Sequence, residues 1–308
     1  MLSRMTLAVL LASVWGSVYA QPVRHANYPP QMEGARREIY KRVGDVELTM
    51  FVFLPEGQQE SHRPAIVFFF GGGWQSGTPA QFYQQCLHLA RRGMVAMAAD
   101  YRVASRHGVK VGECVADAKS AIRWVRREAA RLGVDPDRIV AAGGSAGGHL
   151  AAATALLPGF DDPADDTQIS CRPNALVLFN PALVLAPIEG LPQEGAARLE
   201  ALGRRLGAPA ESLSPYHHIG AAASLPPTLI LHGTADTTVP FRTVELFAQA
   251  YQKAGGRCQL IGYPNQGHGF FNYGRPNNQY YKVTLEAMET FLADLGYLKA
   301  APPDKSNH

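Results

Sequence analysis

The run Gly143-Gly144-Ser145-Ala146-Gly147 is the sharpest chemical signal in the chain. A serine hydroxyl attacks a carbonyl carbon only when it stands clear of its surroundings and a base takes its proton. The G-x-S-x-G spacing meets the first need. Small neighbours let the chain turn tightly from a strand into a helix with the serine at the apex. A phosphate-binding loop is another use of such glycines, but neither G-x-x-x-x-G-K-[ST] nor G-x-G-x-x-G occurs. A turn that merely packs is the plain alternative.

The base must be one of ten histidines. His268 stands out in Asn265-Gln266-Gly267-His268-Gly269-Phe270, where flanking glycines leave the imidazole reachable from both sides. Asp236 fits as the acid that orients it, in His232-Gly233-Thr234-Ala235-Asp236-Thr237-Thr238-Val239-Pro240. Alone, Asp236 reads as the cap of a helix starting near Val239 and His268 as a loop histidine. Together, in the order serine, acid, histidine, they read as a proton-relay triad. Asp100 is a rival acid, but it precedes Ser145, and Asp100-Tyr101-Arg102 reads better as a hydrogen-bonding structural cluster. His149 is expected to pack in the helix after Ser145, and His232 to shape its loop. Attack on a carbonyl builds an oxyanion, which backbone N–H groups stabilise. Ala146 is one expected donor, and the stretch Gly71-Gly72-Gly73-Trp74 supplies another. Trp74 and Phe270 are candidate aromatic walls for substrate, against the alternative of ordinary core packing.

These residues need a scaffold that brings loop ends together. Extended patterns fall at 38–43, 47–54, 65–70, 94–100, 138–142, 175–180, 228–231 and 259–263. Helical patterns fall at 81–92, 115–131, 146–157, 243–253 and 280–295. Alternating strands and helices predict an α/β fold, a mostly parallel central sheet with helices on both faces. In such sheets ligands sit beyond the carboxyl ends of strands, where Ser145, Asp236, His268 and the glycine stretch all fall. Residues 181–227 include a Glu/Arg/Leu-rich helix and are expected to form a small cover segment.

The chain of 308 residues suffices for one large domain, and its formal charge of +3 comes without a Lys/Arg block. Nucleic-acid and membrane-surface binding therefore lack compositional support. Residues 1–20 read as a signal peptide: a basic start at Arg4, an apolar run from Met5 to Trp15, then Val18-Tyr19-Ala20 before the cut. The apolar run is too short for a comfortable membrane anchor. The expected catalytic domain is 21–298, the tail 299–308 is expected to be disordered, and the expected location is periplasmic or extracellular. Cys86, Cys114, Cys171 and Cys258 read equally as disulfide partners and as buried thiols. No Cys-x-x-Cys spacing suggests a metal, and the expected chemistry needs neither metal nor cofactor. Oligomeric state is not legible.

The sequence resembles the α/β-hydrolase superfamily over nearly all of residues 21–298, nearest to hormone-sensitive-lipase-type esterases and the bacterial feruloyl/acetyl-xylan esterase group. Gly71-Gly72-Gly73-Trp74, Asp100-Tyr101-Arg102, Gly143-Gly144-Ser145-Ala146-Gly147-Gly148, Asp236 and His268-Gly269-Phe270 carry the resemblance. It implies that Gly72, Gly73 and Ala146 supply the oxyanion hole, and that the substrate is a small ester or an acylated glycan such as acetylated xylan. Phe70 departs from the pattern, standing where the family usually has a histidine that buttresses the glycine loop. The triad order is shared with serine peptidases of this fold, but Ala146 follows the nucleophile where those carry an aromatic. A non-catalytic binding homologue is the other alternative; such proteins lose a triad member.

Overall fold

The computed structural model describes residues 28–57 and 61–299. The expected signal peptide and nearly all of the expected tail lie outside these residues. In chain order the strands are β1 (Arg36–Val43), β2 (Val46–Phe53), β3 (Arg63–Phe69), β4 (Val95–Ala99), β5 (Val134–Gly144), β6 (Ala175–Phe179), β7 (Thr228–Gly233) and β8 (Cys258–Tyr263). The helices are α1 (Tyr83–Arg91), α2 (Ala104–His107), α3 (Val111–Arg127), α4 (Ala129–Leu132), α5 (Ala146–Leu156), α6 (Gln193–Leu206), α7 (Phe241–Lys253) and α8 (Gln279–Asp294).

The strands form one sheet in the order β1-β2-β4-β3-β5-β6-β7-β8. β2 runs antiparallel to both β1 and β4, and the remaining pairs are parallel. β3 and β4 are buried almost throughout, as apolar strands covered on both faces must be. One face packs α1 and α8 through Phe82, Leu89, Phe271, Met288 and Phe291. The other packs α3, α5 and α7 through Val115, Ile122, Leu150, Val244 and Phe247. Chain direction across the sheet reverses between β3 and β5, which lie side by side, so the loops that leave them open a crevice.

Residues 181–227 fold as α6 and two short 3-10 helices, Ala210–Leu213 and Pro215–Ala221, the latter packed against α5 and α7. All four cysteines are free and buried, so the disulfide alternative is not realised. Cys86 lies in the core on one face of the sheet and Cys114 and Cys258 in that on the other, and Cys114 Sγ sits 3.1 Å from the Arg102 carbonyl. Among the described residues no group of acidic, histidine and cysteine side chains could hold a metal. No described helix is long and apolar enough to cross a membrane.

A buried charge cluster fixes the segment that leaves β4. The Arg102 guanidinium donates to both Asp117 oxygens at 2.8 Å, and its backbone N–H donates to Oδ2 at 3.0 Å. Lys41 Nζ adds ion pairs to Asp117 at 2.8 Å and to Asp162 at 2.7 Å. The neighbouring Tyr101 hydroxyl is thereby held where it donates to the Phe70 carbonyl at 2.7 Å, at the root of the glycine loop. Asp117 is fully buried, so removing it leaves the Arg102 guanidinium without its carboxylate, while Lys41 keeps Asp162. Asp117→Ala should lower unfolding free energy by roughly 3–5 kcal/mol in urea titrations, the cost of breaking a buried ion pair from one side.

Candidate active site

Ser145 joins β5 to α5 with φ 55 and ψ −117, a backbone that L-residues rarely adopt. Its neighbours explain why it can. A Cβ on Gly143 would stand 2.4 Å from the Gly147 carbonyl oxygen, and one on Gly147 would stand 2.0 Å from that of Phe69. Only glycine lets β3, β5 and α5 meet this closely. The Ser145 N–H donates to the Phe179 carbonyl at 2.9 Å, which pins the turn to β6.

The three triad candidates meet from three loops. Ser145 Oγ lies 2.9 Å from His268 Nε2, and His268 Nδ1 lies 2.7 Å from Asp236 Oδ2. A carboxylate can only accept, so the imidazole proton belongs on Nδ1 and Nε2 is left to accept from the serine. The loops after β7 and β8 are themselves joined. Ala235 N–H donates to the Gln266 carbonyl at 3.0 Å, and a Cβ on Gly233 would stand 2.2 Å from that oxygen.

Burial alone would push the Asp236 carboxyl up. Contacts with His232 and His268 and the Val239 N–H outweigh it and hold the group far below the usual carboxylate range. Oδ1 accepts from Thr238 N at 2.8 Å and Val239 N at 2.9 Å. Asp236 thus shapes the turn into α7 and also faces the histidine. His232 Nε2 lies 3.2 Å from Asp236 Oδ2 and 2.9 Å from the Val239 carbonyl. Asn180, at the end of β6, is buried and accepts from Gly269 N–H at 3.1 Å, holding the residue beside His268. Sequence reasoning missed Asn180, since an asparagine ending a strand has no distinctive local pattern.

Asp100, the rival acid, is buried elsewhere. It accepts from the Tyr28 hydroxyl and from Tyr101 N–H, and burial raises its pKa to about 6 against the Tyr28 and Arg106 contacts.

The glycine loop abuts Ser145: a Cβ on Gly71 would stand 3.4 Å from Ser145 Cβ. Gly71 N–H is taken by Gln81 Oε1 at 2.6 Å, so it is not a free donor. Gly72, at φ 125, turns its carbonyl inward to accept from Gln75 and Ser76, a conformation open only to glycine. Among the described residues, nothing accepts from the N–H groups of Gly72, Gly73 or Ala146. Phe70 is buried, stacked on Tyr101 with centroids 4.1 Å apart. An aromatic stack thus occupies the position where the resemblance leads one to expect a histidine.

The two aromatic candidates differ. Trp74 borders a pocket of about 410 Å³ beside the glycine loop, with Gln75, Val109, Lys110 and Val111. Its indole N–H donates to His149 Nδ1 at 3.2 Å. Phe270 faces no open wall. It is buried among Tyr263, Phe271 and Tyr280, because the turn after His268 drives both phenylalanines into the core under α8.

Fold and site together define an α/β-hydrolase with a Ser-His-Asp triad, similar to hormone-sensitive-lipase-type esterases. The BD-FAE family model matches residues 50–251, and the chain belongs to that family. Esterase LipC of Mycobacterium tuberculosis is 30% identical over 67% of this chain and 53% of its own length. The chain spans about half the length of the curated relatives it matches. Among solved structures, Thermogutta terrifontis esterase 2 phosphorylated by paraoxon is 53% identical with a TM-score of 0.81. The alignment covers 89% of this chain and 99% of that one. The same esterase with butyrate bound is 54% identical with a TM-score of 0.83, at the same coverage of 89% and 99%.

His149 links three parts of the site. Its Nδ1 accepts from Trp74 and its Nε2 donates to the Leu213 carbonyl at 2.7 Å, so the ring must be neutral. Burial lowers its pKa to about 4, against the bond to Leu213. The unfolded chain binds this proton below the ordinary 6.5, whereas the folded chain does not until about 4. Stability is therefore fully present above the first value and lost as pH falls between the two, by up to about 3 kcal/mol. His149→Gln keeps an acceptor and a donor but cannot titrate. Urea unfolding across this window should show a shallower acid loss for the variant than for the wild type; equal slopes would contradict the assignment.

Proposed function

We propose that this chain is an exported serine carboxylic ester hydrolase that acts through an acyl-enzyme on short-acyl esters. The contact that carries the reading is Ser145 Oγ to His268 Nε2 at 2.9 Å, with Asp236 2.7 Å behind the ring. His268 takes the Ser145 proton as Oγ adds to the ester carbonyl, and the buried Asp236 charge stabilises the imidazolium. The free N–H groups of Gly72, Gly73 and Ala146 receive the developing oxyanion. Collapse of the tetrahedral adduct expels the alcohol, which leaves with the proton from Nε2. Water, deprotonated by the same nitrogen, then cleaves the acyl-serine and restores the hydroxyl.

One observation favours a short acyl group. The Thermogutta relative is described with butyrate bound. The natural substrate we favour is an acetylated glycan such as xylan, on the resemblance to acetyl-xylan esterases and the expected signal peptide. A p-nitrophenyl ester series from acetate to palmitate tests the acyl preference. Highest kcat/KM is expected at the shortest esters, with Ser145→Ala at least ~10³-fold slower in kcat. A palmitate optimum would make the enzyme a lipase, and near-normal turnover by Ser145→Ala would remove the nucleophile.

A further inference from the structure

The oxyanion donors and the histidine stand on loops that the sheet does not place side by side. The glycine loop leaves β3 and the His268 loop leaves β8, with β5, β6 and β7 between them. A tetrahedral intermediate must touch both at once, so their separation has to be held to a fraction of an ångström. One chain of hydrogen bonds spans the gap. Gly71 N–H donates to Gln81 Oε1 at 2.6 Å, Gln81 Nε2 donates to Asn272 Oδ1 at 2.9 Å, and Asn272 Nδ2 donates to the Gly269 carbonyl at 2.9 Å.

We infer that Gln81 and Asn272 form a positioning strut that sets the oxyanion loop against the catalytic histidine. The inference rests on the hydrolase reading above. The chain has a direction, fixed by a backbone donor at one end and a backbone acceptor at the other. Each side-chain amide must therefore offer its oxygen on one side and its nitrogen on the other. Both side chains are partly buried, where a satisfied amide pair is stiff and an unsatisfied one is costly. The far end grips a residue held twice, since Asn180 Oδ1 takes the N–H of Gly269 while Asn272 Nδ2 donates to its carbonyl. The near end holds the Phe70–Gly71 peptide, one peptide before the one that carries the Gly72 N–H. The hydrogen bonds of both amides go to Gly71, to each other and to Gly269, so the strut acts on catalysis through the placement of loops.

The test compares Gln81→Leu, Gln81→Glu, Asn272→Leu and the double Gln81→Leu/Asn272→Leu variant on p-nitrophenyl acetate. Each single leucine variant should lose about 10- to 100-fold in kcat, less than deletion of an oxyanion donor, with KM within about threefold. The acid limb of the kcat/KM–pH profile should not move, because the His268–Asp236 contact is untouched. Gln81→Glu should not rescue, since an ionised carboxylate accepts from Gly71 but cannot donate to Asn272. The double variant should be no slower than the slower single, as members of one chain are non-additive. Singles within about twofold of wild type, or losses that multiply in the double variant, would overturn the strut. Ser145→Ala measured alongside separates the two claims. If it stays active the hydrolase reading fails, whereas a silent Ser145→Ala beside unaffected Gln81 and Asn272 variants removes the strut alone.

Discussion

The backbone of Ser145 is the constraint on which the rest of the site depends. Its positive φ lifts the hydroxyl out of the sheet, and it persists only because the surroundings leave no alternative. Gly143 and Gly147 admit the β3 carbonyls to within distances that no side chain tolerates. Phe179 holds the serine N–H, and Ala182 and His149 donate to its carbonyl. The strain is thus offset by the parallel β3-β5-β6 core. That also explains why β3 and β5, the strands beside the chain reversal, carry the glycine loop and the nucleophile.

The second requirement is electrostatic. A carboxylate with a fully buried side chain is stable only when its lone pairs are used, and Asp236 spends them on two backbone N–H groups and two imidazoles. The same contacts that keep it ionised fix the His268 tautomer. His149, fully buried near the site, is held neutral by the opposite means: burial without a carboxylate partner. Two imidazoles near Ser145 are therefore set apart by their neighbours: His268 faces a carboxylate, and His149 braces Trp74 and Leu213.

Much of this is legible in the sequence. The parallel sheet follows from apolar runs alternating with amphipathic helices, and the serine, acid and histidine fall at strand ends as the order of motifs implies. Boundaries were less visible. β5 begins at Val134, ahead of the expected start, because Asp135-Pro136 reads as a loop and the β3–β5 register shifts there. α3 begins at Val111 because the Glu113 carboxylate accepts from Lys110 N–H, a cap obscured by Gly112. Phe270 was not placed, since an aromatic beside a catalytic loop looks the same in sequence whether it faces substrate or core. Asn180, the His232 contact and the Gln81–Asn272 pair left no trace either. Hydrogen bonds between residues distant in the chain have no periodicity to betray them.

The central claim is that Ser145 is a nucleophile made reactive by His268 and Asp236. Labelling the intact protein with a fluorophosphonate, followed by mass spectrometry of the whole chain and its peptides, tests it most directly. The account predicts one adduct per chain, on the peptide carrying Ser145, and a loss of rapid labelling in His268→Ala. An adduct on another residue, or labelling as fast without His268 as with it, would contradict the account.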